Sequence, residues 1–204
     1  MKKTIYSFLV GVLLSTASWA QVRVGITGSL QLASQQIKSQ GITISGSNKA
    51  GFQAGLLLDA PLNDNISVRS QLLYSTKGGE YQIGSSSTFT TTFNYIEIPV
   101  QLTYGIEAGS GKAVVGVGPY LAYALNGNDK SGSVSTPIEF GSNDDQIKRI
   151  DYGLRVSAGY ELPSGLGVSA YYAPGLANLA NGNSGATLKN SAFGLSLSYF
   201  FGGN

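Results

Sequence analysis

The 204-residue chain contains no cysteine and no histidine. Without Cys there is no disulfide framework and no thiolate metal site. Without His, the commonest general base and the commonest metal ligand are both missing. Charge is scarce too: Asp, Glu, Lys and Arg make up 12% of the residues, about half the usual globular share. Beyond residue 20 no apolar run approaches the ~20 residues of a membrane-spanning helix. Sustained helical periodicity is also missing, which argues against a bundle. What remains is rich in Gly, with 28 residues, and in Ser, Thr and Tyr.

The opening stretch, MKKTIYSFLVGVLLSTASWA, has three parts. Lys2 and Lys3 are positive, Ile5 to Leu14 is apolar, and Ser18-Trp19-Ala20 is a small-x-small site. This is the pattern of a cleavable signal peptide over residues 1–20, leaving 21–204 as a single domain. Removing Lys2 and Lys3 from the 13 basic residues leaves 11, balancing the 11 acidic ones. No basic patch survives to recognise nucleic acid, so no nucleic-acid partner is expected.

Alternation with period two recurs along the rest of the chain. It predicts eight strands at about 22–33, 51–60, 66–76, 93–107, 112–125, 150–161, 166–177 and 190–201. Three connections are tight and rich in turn formers: Pro61 to Asn65, Gly109 to Gly111, and Pro163 to Gly165. The other four, 34–50, 77–92, 126–149 and 178–189, are long and polar. Short and long connections in turn describe an up-and-down barrel with one plain rim and one elaborated rim.

Sorting each strand by face separates an oily side from a polar one. The oily side carries Leu56, Ile98, Val117, Leu154, Val168 and Leu197, for example. The polar side carries small residues, amides and charges. Alternation alone leaves two options: a soluble, lipocalin-like barrel with the oily face inward, or a membrane barrel with it outward. Three observations favour the membrane. Arg23, Arg69 and Arg155 fall mid-strand on the polar face with Asp59, Glu97, Asp151 and Glu161, while every Lys is expected in loops or at strand ends. A confined interior favours Arg, whose planar fork pairs with carboxylates. Aromatic residues on the oily face form two belts: Phe52, Tyr74, Tyr123, Tyr152, Tyr172 and Phe193 near the long-loop rim, and Tyr104, Tyr160, Tyr199 and Phe201 near the short-turn rim. Bilayer interfaces select such girdles. Finally, an eight-stranded bore is just wide enough to be filled by side chains. The expected fold is therefore an all-β, eight-stranded antiparallel up-and-down transmembrane β-barrel, contacting outer-membrane lipid.

The segments YIEIPVQLTYG (95–105), GVGPYLAYAL (116–125), DYGLRVSAGYEL (151–162) and YYAPGLANL (171–179) resemble the recurring blocks of the PorT-like outer-membrane β-barrel family. The Glu-x-Pro strand followed by Gly-Pro-Tyr is the most specific element. The stretch FGLSLSYFF near the C-terminus is similar to the terminal strand signal read by the barrel-assembly machinery, which the resemblance makes a partner during biogenesis. The resemblance implies outer-membrane location and fold, and no particular biochemical activity.

Function is then a matter of bore and loops. The seven charged residues on the polar face read as a structural salt-bridge network. No catalytic residue and no cofactor is expected: activating a serine needs an adjacent base, His is absent, and the lysines are expected at the periphery. No metal site is expected either. NGNDKSG (126–132) has one carboxylate and a Lys where a calcium loop has several carboxylates, and Asn143-Asp144-Asp145 is no better. SSSTFTTTF (85–93) is β-prone and can extend a hairpin above the membrane. The leading expectation is a non-enzymatic surface protein with a filled bore, its loops making structural or adhesive contacts with envelope or extracellular proteins. The alternatives are a small pore and an accessory component of a protein export or envelope-assembly machine. Pro99 sits mid-strand and predicts a bulge or a missing ladder bond.

Overall fold

The computed structural model describes residues 22–39, 42–83, 87–144, 146–181 and 185–202. The signal-peptide segment 1–20 lies outside them, as do Asp145 and the final residues Gly203 and Asn204. Ten strands are present among the described residues: β1 (Arg23–Ser39), β2 (Ile42–Ser45), β3 (Lys49–Pro61), β4 (Ile66–Ile83), β5 (Ser87–Ala108), β6 (Gly111–Ser131), β7 (Val134–Pro137), β8 (Ile150–Glu161), β9 (Leu166–Pro174) and β10 (Thr187–Phe201).

Eight of them close a ring in the order β1-β3-β4-β5-β6-β8-β9-β10, with every pairing antiparallel and β10 returning to β1 through Val24↔Phe201 to Lys38↔Thr187. Closure leaves no open edge at membrane depth, as a spanning sheet requires. The two short strands lie off the ring: β2 pairs with the top of β1, and β7 with the top of β6. At the plain rim, Asn63 Oδ1 accepts from the backbone N–H groups of Asn65 and Ile66 in the β3–β4 turn. Gly109 and Gly165 take left-handed φ values of 63° and 85° in the other two turns.

The oily face points outward. Leu56, Val117, Leu197 and all ten girdle aromatics are exposed, whereas a lipocalin arrangement would bury them. Tyr95, Tyr120, Tyr171 and Phe200 are buried in the bore. Small inward residues make room for them: a Cβ on Gly194 would come within 2.6 Å of the Tyr171 ring, and one on Gly153 within 2.7 Å of Tyr120.

The strands differ from expectation chiefly above the upper girdle. Much of what reads as long loops is strand: β4 and β5 run on as a hairpin, and NGNDK belongs to β6. The β4–β5 hairpin pairs as far as Ile83↔Ser87, so residues 87–93 of the β-prone 85–93 stretch extend it, while Ser85 and Ser86 lie outside the described residues. The turn-like Gly78-Gly79 pair sits inside β4, where a Cβ on Gly78 would strike the Thr91 carbonyl. Near Pro99 the β4–β5 ladder is interrupted between Ser70↔Val100 and Leu73↔Glu97 with no change of register. Proline has no N–H to donate. The bulge lies elsewhere, between Asn94 and Tyr95, where Asn94↔Asn126 is followed by Tyr95↔Ala124.

Candidate functional site

The bore holds two charge clusters, one above the other. In the lower one, register sets Asp59 directly opposite Arg23 on one side and Arg69 on the other. Glu161 of β8 closes the circle from across the bore. Arg23 meets Asp59 at 2.6 Å and Glu161 at 3.1 Å, and Arg69 meets the same two carboxylates at 2.9 and 2.7 Å. Two guanidiniums and two carboxylates thus alternate in a ring. Phe200 sits beneath both guanidiniums, at 4.2 Å from Arg23 and 5.2 Å from Arg69, so their flat faces are occupied as well as their N–H edges.

The upper cluster is a chain of charges: Asp151, Lys77, Glu97 and Arg155. Lys77 Nζ lies 2.8 Å from Glu97 Oε2 and 3.6 Å from Asp151 Oδ2, and Arg155 reaches Glu97 Oε1 at 3.3 Å. Aromatic rings box the cations in, with Lys77 at 4.2 Å from the Tyr120 ring and Arg155 stacked at 3.5 Å on Tyr171. Amides bind the same carboxylates. Gln53 donates to Glu97 at 3.2 Å and accepts from Arg155 at 3.1 Å, while Asn190 donates to Asp151 at 3.1 Å. Both clusters are electrically neutral, which is how buried charge is tolerated.

Lys77 is the residue that sequence reasoning misplaces. It was expected in a loop, but β4 carries it into the bore as the one buried lysine among the described residues. The signal was available in phase: Lys77 follows Arg69, Gln71, Leu73 and Ser75 at a spacing of two. All seven charged residues expected on the polar face do point inward. The structure brings them together as two groups rather than one, Arg23, Asp59, Arg69 and Glu161 below and Glu97, Asp151 and Arg155 above.

Between the clusters lies a cavity of about 40 Å³, bordered by Thr27, Arg69, Gln101, Arg155 and Ser196, enough for about three waters at ~10–15 Å³ each. Above the upper cluster, Ile138, Phe140 and Ile147 pack onto the buried Phe93 and its neighbours. The backbone of Lys148 donates to Leu179 at 2.9 Å, tying this segment to the one after β9. Side chains and loops therefore fill the bore at three levels.

The upper parts of β4, β5 and β6, with β7, form a four-stranded sheet beyond the girdle. From Tyr74 to the end of β4 this adds ~30 Å of strand length. Asp129, on the inner side of that sheet, accepts from Thr91 at 2.8 Å, and burial raises its carboxyl above the ordinary value. Among the described residues no group of carboxylates is placed to hold a metal ion.

An outward apolar band, two aromatic belts and a charged, plugged interior in a closed ring are the properties of a barrel in a bilayer. The family model for "Outer membrane protein beta-barrel domain" matches residues 16–181. The chain belongs to this outer-membrane β-barrel family. Its fold is similar to that of the outer membrane protein OprG from Pseudomonas aeruginosa, at 13% identity and a TM-score of 0.53, covering 89% of this chain and 96% of that one. Similar too are Neisserial surface protein A, at 13% identity and a TM-score of 0.48 over 86% and 96% of the chains, and Ail, the attachment invasion locus protein of Yersinia pestis, at 16% and 0.43 over 87% and 98%. A search of curated proteins gave no match. This outer-membrane barrel presents Phe52, Tyr74, Tyr123, Tyr152, Tyr172 and Phe193 on its outer face toward the elaborated rim. It presents Tyr104, Tyr160, Tyr199 and Phe201 toward the plain one.

Proposed function

We propose that this outer-membrane β-barrel is a non-enzymatic surface protein whose bore does not conduct and whose partners, structural or adhesive, are met above the membrane. The observation that carries the reading is the contrast between a bore filled at three levels and a four-stranded sheet raised above the upper girdle. In that sheet β7 is the outer strand. Its four residues are exposed, and among the described residues it pairs only with β6. A free strand edge offers backbone donors and acceptors to an added strand, and Pro137 limits that edge to a short length. Catalysis is not part of the reading, because the buried Lys77 is engaged by two carboxylates and the chain has no His to activate a serine. Residues 1–20 would act as the export signal for the domain at 21–204. The PorT-like branch of the family is the one its blocks favour.

The test shortens the β4–β5 hairpin by joining Gly79 to Thr91 through an Asn-Gly turn, leaving girdles and bore intact. Cells displaying either form are compared for attachment to protein-coated surfaces and for cross-linked surface partners. Attachment and cross-links should fall with the shortened form. If both forms behave alike, the sheet is not the contact surface. Envelope proteins that co-purify stoichiometrically with both forms would favour an accessory role in envelope assembly or export instead.

A further inference from the structure

A notch of about 540 Å³ opens where β6 parts from β8, at the base of the raised sheet. It falls within the range of small-ligand sites, ~300–1,000 Å³. Ring order and register explain why it exists. The lower part of β6 pairs with β8 up to Tyr123↔Ile150, and its top pairs with β7 from Asn128↔Pro137. Between them, on the side away from β5, Leu125 to Gly127 have no continuous neighbouring strand, and the described residues of 138–149 fold over instead. A Cβ on Gly127 would come within 2.8 Å of the Phe93 ring and 3.2 Å of Ile138. Glycine there lets the apolar floor approach the backbone.

The lining combines planar polar groups with an aromatic wall. Arg149 is fixed: its guanidinium donates to the Ala124 carbonyl at 3.0 Å and lies 4.9 Å from the Phe140 ring and 5.8 Å from Tyr123. Glu139 is exposed and accepts a long contact from Gln146 at 3.5 Å. Asn126 accepts from Asn94 at 2.7 Å through Oδ1, which leaves its Nδ2 donors unpartnered among the described residues. Asn128 is exposed with no side-chain hydrogen bond among them. One cation and one carboxylate cancel, so the notch does not select a polyanion. Amides, a carboxylate and a guanidinium beside an aromatic ring are the groups that hold the vicinal hydroxyls and C–H face of a sugar.

Height supplies the second argument. Tyr123 belongs to the upper aromatic belt, which marks the headgroup level, and Arg149 contacts its ring. The notch therefore opens where lipid headgroups lie, with the oily wall of Leu121 and Leu125 on the same face. We propose that it binds a hexose of a glycolipid headgroup in the outer leaflet. The sugar's hydroxyls would be held by Asn128, Glu139 and Arg149, and its acyl chains would rest on the barrel wall below.

The experiment uses the full barrel in phosphatidylcholine nanodiscs. Rough-type lipooligosaccharide is doped into the lipid and counted on the protein by native mass spectrometry. The water-soluble oligosaccharide released from the same glycolipid is titrated separately. Asn128→Leu and Glu139→Leu are made because both side chains are exposed, and retention of the boiled-versus-unboiled gel shift confirms that each variant is folded. The expected result is one glycolipid per wild-type barrel, at least a tenfold loss of affinity in each variant, and weaker binding of the free oligosaccharide. Equal binding of the free oligosaccharide, lost in the same variants, retains the sugar site and makes its source soluble glycan. No retained glycolipid with no saturable oligosaccharide binding overturns the proposal, as does binding unchanged in both variants. The raised sheet is intact in these variants, so this outcome is separable from that of the shortened hairpin.

Discussion

Glu97 is held on three sides in the bore, by Lys77, by Arg155 and by the Gln53 amide. Replacing it with Leu would leave a lysine and an arginine buried with one carboxylate, Asp151, to answer both. Stranding a buried charge costs about 3–5 kcal/mol, and that loss is the predicted fall in unfolding free energy for Glu97→Leu, measured by urea unfolding of the refolded barrel. An unchanged midpoint would mean that the cluster contributes no stability. The pairing of β1, β3 and β4 through Arg23, Asp59 and Arg69 was not legible residue by residue. Sequence shows that these side chains share a polar face, but which of them meet depends on register, and register depends on closure. Lys77 was legible in phase and hidden by punctuation. The stretch 77–92 reads as a polar connection, and only the closeness of the Thr91 carbonyl shows why glycine is needed at Gly78 inside a strand.

At the scale of the strand, the inside-out arrangement makes a prediction that a soluble barrel would not. Leu197 lies midway along β10 between Phe193 and Phe201, and it is exposed. Leu197→Arg should cost about 2–4 kcal/mol in a bilayer, the penalty for a cation on the lipid face near the midplane. Unfolding from vesicles of the variant and the parent measures it, and an equal midpoint would place Leu197 in water. Packing between strands gives a second test. A side chain at Gly118 would meet the Val100 carbonyl of β5, so Gly118→Val should block β5–β6 closure and abolish the boiled-versus-unboiled gel shift. A variant that keeps the full shift would show that the two strands can move apart. The eight strands of the ring, their facing and the three tight turns were legible, because alternation and turn chemistry are local; the short β2 and β7 were not. The lengths of β4, β5 and β6 were not. Above the girdle the sheet no longer separates lipid from bore, and polar Thr and Asn in a paired hairpin look like loop residues in sequence.

The whole molecule is a barrel closed by strand pairing and filled along its bore. Its wall is a ring of eight strands, its lower and upper bore are locked by neutral charge clusters, and the segments after β7 and β9 cover the top. On the proposed reading, partners are met above the membrane, at the raised sheet and the notch at its base. The direct measurement is solute flux through the protein reconstituted in liposomes, using preparations whose gel shift shows them to be folded. A filled bore predicts that swelling in small sugars and amino acids matches protein-free vesicles. Rapid swelling that scales with the amount of folded protein would contradict it.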